Sequence, residues 1–151
     1  MNTEEAITSI YDQAGWSYDS DEFSPGAGRK LHTVLLDSDL EVNFIGISRD
    51  VILVHSPIFE MSQSGDDAEK LKHMSSLVAK EFYSFPFGTS VTDGFFRLEM
   101  RMRLGKVDTD QMCLMLQRFL DICDFFIDEA RNFNEERNGL FNHIPVNFLM
   151  N

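Results

Sequence analysis

Four histidines, two cysteines, a cluster of carboxylates near the N-terminus and a row of arginines are the groups in this chain best suited to chemistry. His32, His55, His73 and His143 are scattered, and none has a second His three or four residues along a helix, the spacing that places two imidazoles on one metal ion. Asp19, Asp21 and Glu22 have the look of an opening calcium loop, but Pro25 and Gly26 stand where later ligands would be needed, so a solvated acidic loop is expected. Gly26-Ala27-Gly28 is too short for a phosphate loop and leads into a strand-like run rather than a helix. No Ser sits in a Gly-x-Ser-x-Gly elbow, and neither Cys113 nor Cys123 has the helix N-terminus and neighbouring His that would activate a thiol. The two cysteines fall on one helical stretch about 15 Å apart, beyond the reach of a disulfide, and read as small apolar core residues in a reducing compartment. We therefore expect no catalytic residue, no metal, no cofactor and no enzymatic activity. Arg97, Arg101 and Arg103 alternate along one strand as the only cationic row; they are either a wet sheet face paired with surface carboxylates or a candidate anion contact.

Composition narrows the partners. At 151 residues and 43% hydrophobic content the chain can bury one core, and we read residues 1–139 as a single α+β domain with an apolar tail over 140–151. The formal net charge of −12 and a sequence pI near 4.6 argue against nucleic acid and anionic membranes, which require clustered Lys and Arg. Residues 1–11 lack the basic and then apolar pattern of a secretory signal, and no apolar run approaches the roughly 18 residues of a membrane span, so a cytoplasmic location is expected.

The longest period lies near the C-terminus. Over 108–137, Met112, Met115, Leu116, Phe119, Leu120, Ile122, Cys123, Phe126, Ile127, Ala130 and Phe133 recur at helical spacing and form a core-facing stripe, whereas Leu114 and Phe125 fall on the polar back. Asp108 with Gln111 offers a capping box, and Asn138-Gly139 a stop. Upstream, Asn2 with Glu5 caps a short amphipathic helix that Gly15 ends, and 17–29 reads as loop. Branched runs over 31–36, 40–47 and 51–54, the last extending toward Ile58, are joined by Asp37-Ser38-Asp39 and Ser48-Arg49-Asp50 and predict an antiparallel meander that Pro57 ends. A helix over 67–83 with Leu71, Met74, Leu77, Val78 and Phe82 on its apolar face and Lys70, Lys72 and Lys80 on its polar side follows. A strand near 89–91 and the Asp93-Gly94 turn lead into the strictly alternating 96–104. The order α-β-β-β-α-β-β-α predicts an α+β fold, an antiparallel sheet with helices largely on one face.

With that order, the chain resembles the type III secretion chaperone-like superfamily, which includes the CesT-type secretion chaperones and the YbjN-like sensory transduction regulators. The resemblance covers 3–137 and is carried by the meander over 31–54, the apolar helix over 71–82, the strand Phe96-Arg97-Leu98-Glu99-Met100-Arg101-Met102-Arg103-Leu104 and the helix over 112–133. Ala79-Lys80-Glu81-Phe82-Tyr83 departs from the Asn that many members carry near the end of the middle helix. What the resemblance implies is a bacterial homodimer that holds an extended client segment on apolar patches without ATP, or, for the YbjN branch, a regulatory or protein-binding role.

Eight methionines and fourteen phenylalanines make an apolar surplus suited to an adaptable binding surface, or simply a core rich in both. The leading expectation is a non-enzymatic, homodimeric module binding a client protein, with Ile45, Ile47, Ile52 and Val54 as client patch and Leu114 with Phe125 as dimer interface. The alternative is a YbjN-like regulatory or small-ligand sensor domain with an anion-contacting pocket at Arg97, Arg101 and Arg103. A roomy concavity around the three arginines would favour the sensor, and a flat apolar patch the client-binding module.

Overall fold

A computed structural model of the chain describes residues 1–17, 31–37, 39–62, 65–81 and 85–142. The acidic loop with Asp19, Asp21 and Glu22, the Gly26-Ala27-Gly28 run, Phe82, His143 and the tail beyond 142 lie outside the described residues.

Helix α1 (Thr3–Ala14) opens on the expected capping box: Asn2 Oδ1 accepts from the Glu5 N–H and Glu5 Oε2 from the Asn2 N–H, both at 2.9 Å. Gly15, at φ 73°, closes it in the left-handed region where a side chain would be strained. Its buried face is Ala6, Ile7, Ile10 and Tyr11. Strands β1 (Leu31–Leu35), β2 (Glu41–Gly46) and β3 (Val51–Glu60) form the meander. Helix α2 (Asp66–Glu81) and the hairpin of β4 (Phe87–Thr92) and β5 (Phe95–Arg103) follow. Asp93 and Gly94 turn that hairpin with positive φ at both residues, 54° and 77°, as a two-residue turn matching the strand twist requires. Helix α3 (Thr109–Asn142) completes the chain, capped by reciprocal bonds between Asp108 and Gln111 at 2.8 and 2.9 Å.

The fold is α+β, with the expected element order. The five strands are antiparallel in the order β1-β2-β3-β5-β4, so β3 is the middle strand, flanked by β2 and β5. One face of the sheet, through Val42, Phe44, Ile52, Val54, Leu98, Met100 and Met102, meets Met112, Leu116, Phe119, Ile122, Cys123 and Phe126 of α3 and the buried side of α1 in one core.

Three local expectations are corrected. Pro57 does not end the meander: β3 continues through it to Glu60, and the pairing with β5 shifts register between Pro57 and Phe59. A proline has no N–H to give the ladder, and an irregularity at that point removes the need for one. Helix α3 runs past Asn138-Gly139 to Asn142; an interior Gly costs a helix only about 1 kcal/mol relative to Ala, which a long helix tolerates. Lys70 is not on a solvated side of α2. It is buried, its Nζ donating to Asn134 Oδ1 at 2.9 Å and lying 4.3 Å from the Phe59 ring centroid, so its stem and charge tie α2 to α3 and β3.

Candidate functional site: the open face of the sheet

Strand alternation divides the sheet into two unlike faces. Along β3 every second residue from Ile52 to Ile58 is buried, and along β5 every second residue from Phe96 to Met102; the residues between them are partly or fully exposed. Among the described residues no helix covers this second face. Pairing across it aligns Leu31, Ile45, Leu53 and Arg101 on one rung, because Leu31 faces Ile45, Ile45 faces Leu53 and Leu53 faces Arg101. Val51 faces Arg103 two residues further along. The result is an apolar strip across three strands that ends in guanidinium groups; Leu31 at its edge is 47% exposed.

The next rung is polar. Thr33, Asn43, His55 and Glu99 are register partners. Thr33 Oγ1 donates to Asn43 Oδ1 at 2.7 Å, and Asn43 Nδ2 donates to Glu41 Oε2 at 3.2 Å, so the buried amide is held by its neighbours. Arg97 Nη1 donates to His55 Nδ1 at 3.3 Å, which requires that nitrogen to be unprotonated. Burial, and secondarily the Arg97 charge, push the His55 pKa below its ordinary value against the opposing pull of Glu99 and Glu41. Together with Ser90, Thr92 and Asp93 from the β4–β5 hairpin, these residues and the Leu31–Ile45–Leu53 strip line a depression of about 500 Å³.

The three arginines divide. Arg97 lines the depression, held by His55, by the Thr92 carbonyl at 3.5 Å and by the Phe95 ring at 5.5 Å. Arg101 and Arg103 stand exposed beside it. Among the described residues none of the three forms an ion pair with a carboxylate within 4.0 Å, so the expected pairing with surface carboxylates is not found.

The predicted client patch is split. Ile45 lies on the open face, and Ile47, two residues on, is half-buried. Ile52 and Val54 are wholly buried on the opposite face, where Val54 pairs with Phe44 and Ile52 with Gly46. They are core, not an accessible patch; the open-face residues of β3 are Val51, Leu53 and His55. Sequence reasoning missed Leu31 and Leu53, and the signals that locate them are the β1–β2 register across the 36–40 turn for Leu31 and the β2–β3 register across the 48–50 turn for Leu53. On α3, Leu114 is 71% exposed, as its place on the back of the stripe predicts. Phe125 is instead half-buried, edge-on to Phe126 at 5.6 Å and packed against the core. A helix of this breadth buries a flank as well as its central stripe.

Neither cysteine is poised for chemistry. Burial pushes the Cys123 thiol up to about 12 despite the nearby Ser56 hydroxyl, and burial with the Asp110 charge also raises Cys113. Cys113 borders a smaller hollow of about 240 Å³ between α1 and α3, floored by Trp16, Leu116 and Leu120. Among the described residues no group of His, Cys, Asp or Glu could hold a metal ion, and no helix is long and apolar enough to cross a membrane.

No protein-family model matches the chain, and no curated protein matches it. Solved structures do. A chain of the ExsC–ExsE complex superposes with a TM-score of 0.61 at 13% identity, covering 83% of this chain and 93% of that one. A chain from the heterodimeric ExoU–SpcU complex of the Pseudomonas aeruginosa type III secretion system gives 0.57 at 16% identity, covering 80% and 93%. The Yersinia pestis type III secretion chaperone SycH, solved with a stable fragment of YscM2, gives 0.55 at 10% identity, covering 81% and 97%. The chain therefore has the fold of the type III secretion chaperones.

Proposed function

We propose that this protein is a non-enzymatic, chaperone-like module that binds a segment of a client protein on the open face of its sheet. The observation that carries this reading is the strip Leu31–Ile45–Leu53: three aligned apolar side chains on a face that no helix among the described residues covers, where a wet sheet face would otherwise carry polar groups. The fold likeness supports it, since the similar chains described above were solved as complexes with another protein. The sensor alternative is weaker, because only Arg97 of the three arginines lines the depression. Homodimerisation through exposed Leu114 belongs to the same proposal, with Phe125 at most at the rim of that contact, and so does a cytoplasmic location.

The test is co-purification from the native host with the wild-type chain and with a Leu53→Asp variant. One predominant partner recovered with wild type and lost with the variant, whose fold is checked by circular dichroism, supports the reading. Equal recovery with both places the client elsewhere, and recovery of none under native expression overturns the proposal. Sedimentation of wild type beside Leu114→Asp tests the dimer: a wild-type monomer at tens of micromolar sinks it.

A further inference from the structure

We infer that the segment received on the open face is acidic as well as apolar, with carboxylates that engage Arg101 and Arg103 while its apolar side chains cover Leu31, Ile45 and Leu53. The inference rests on the client-binding reading above and names the chemistry of the client segment. Among the described residues only one Lys or Arg, Arg131, pairs with a carboxylate, at 3.8 Å from Asp128. Arg118, Lys80 and their like are dispersed, whereas Arg97, Arg101 and Arg103 stand together on one strand face with no carboxylate among the described residues paired to any of them. Glu99, between Arg97 and Arg101 on that face, instead shares a rung with His55 and Asn43.

Arg101 and Arg103 are also placed where a partner reaches them. Each ends a rung whose preceding member is apolar, Leu53 for Arg101 and Val51 for Arg103. With neighbouring strands about 4.8 Å apart, one apolar residue over Leu53 sets a flanking carboxylate within reach of Arg101. A guanidinium offers a carboxylate two parallel N–H donors, and the apolar cover excludes water from the pair, strengthening it. A neutral apolar segment would leave both guanidinium groups facing it without acceptors, and a basic one would be repelled. A second copy of this acidic chain is the competing occupant, and the test separates the two.

The probes are short labelled peptides of matched length alternating Glu with Leu, Gln with Leu, and Lys with Leu, titrated by fluorescence anisotropy into the full chain at physiological ionic strength. The Glu–Leu peptide should bind at least about tenfold tighter than the Gln–Leu peptide. Arg101→Gln/Arg103→Gln should abolish that preference, bringing the Glu–Leu and Gln–Leu affinities to within about twofold of one another. The glutamines keep the polarity of an exposed face, and an unchanged urea midpoint confirms the fold. Equal binding of the Glu and Gln peptides, or a preference that survives the double variant, overturns the inference while leaving client binding through the apolar strip intact. Failure of every peptide, with a client still captured through Leu53, likewise overturns the acidic assignment alone. Failure of every peptide and of client capture removes the parent reading. A double variant that changes the sedimentation coefficient of the free protein, with no effect on peptide binding, assigns the arginines to a second copy and also overturns the inference.

Discussion

Single side chains show why an aromatic residue's place on α3 decides what its loss does. Phe119 is wholly buried, and Phe119→Ala should destabilise the chain by about 3 to 5 kcal/mol through lost transfer energy and the cavity left behind. Phe125, only half-buried and edge-on to Phe126, should cost about 1 to 2 kcal/mol on the same substitution. Urea unfolding of the two variants measures the difference, and equal losses would mean that Phe125 is as much core as Phe119. His55 supplies a pH dependence of definite sign. Its folded pKa lies below the ordinary 6.5, so just beneath that pH the unfolded chain binds more protons than the folded one. The His55 contribution is complete above about pH 6.5 and is lost as pH falls toward the folded value. The urea midpoint of wild type should drop through that window, and His55→Gln should remove this part of the drop. No difference between the two curves would show that the fold does not hold His55 below its ordinary pKa.

Elements were legible wherever one period ran long enough to fix a face. The stripe on α3 predicted its buried residues, the strand over 96–104 its wet and dry sides, and both capping boxes stand as read. The open face was not legible, because a strand's pattern says that two faces differ without saying how neighbouring strands align. Ile52 and Val54 look as exposed-competent as Leu53 until the pairing of Phe44 with Val54 places them in the core; a register slip of one residue would exchange the two sets. Lys70 misled for another reason: helical spacing assigns a face to a Cα, whereas a long stem can cross to an aromatic ring and an amide on neighbouring elements. A contact between α1 and β2 escaped notice as well. A Cβ built on Gly46 would sit 2.5 Å from Thr3 Oγ1, so the start of α1 approaches β2 only because residue 46 has no side chain. Gly46→Ala should cost about 1 to 3 kcal/mol by overpacking, and Thr3→Ala should recover part of it in the double variant. Strict additivity of the two changes in thermal or urea unfolding would show that they do not meet.

The whole molecule carries its charge unevenly, and the unpaired arginine row has a consequence for how ionic strength acts on it. An acidic segment approaching a chain of net charge −12 is repelled as a whole, although the strip it meets at contact is positive. At low salt, with a screening length of about 30 Å at 0.01 M, the distant carboxylates dominate and association is hindered. Near 0.15 M the length falls to about 8 Å, which silences the far charges and spares a pair in contact. At about 1 M the contact itself is screened. Affinity for the Glu–Leu peptide should therefore pass through a maximum at intermediate salt, whereas the Gln–Leu peptide should show none. A monotonic fall from the lowest salt upward would mean that the arginine row outweighs the rest of the surface even at a distance. A maximum would make ionic strength itself a dial on occupancy, set by the contrast between one strand and the remainder of the chain.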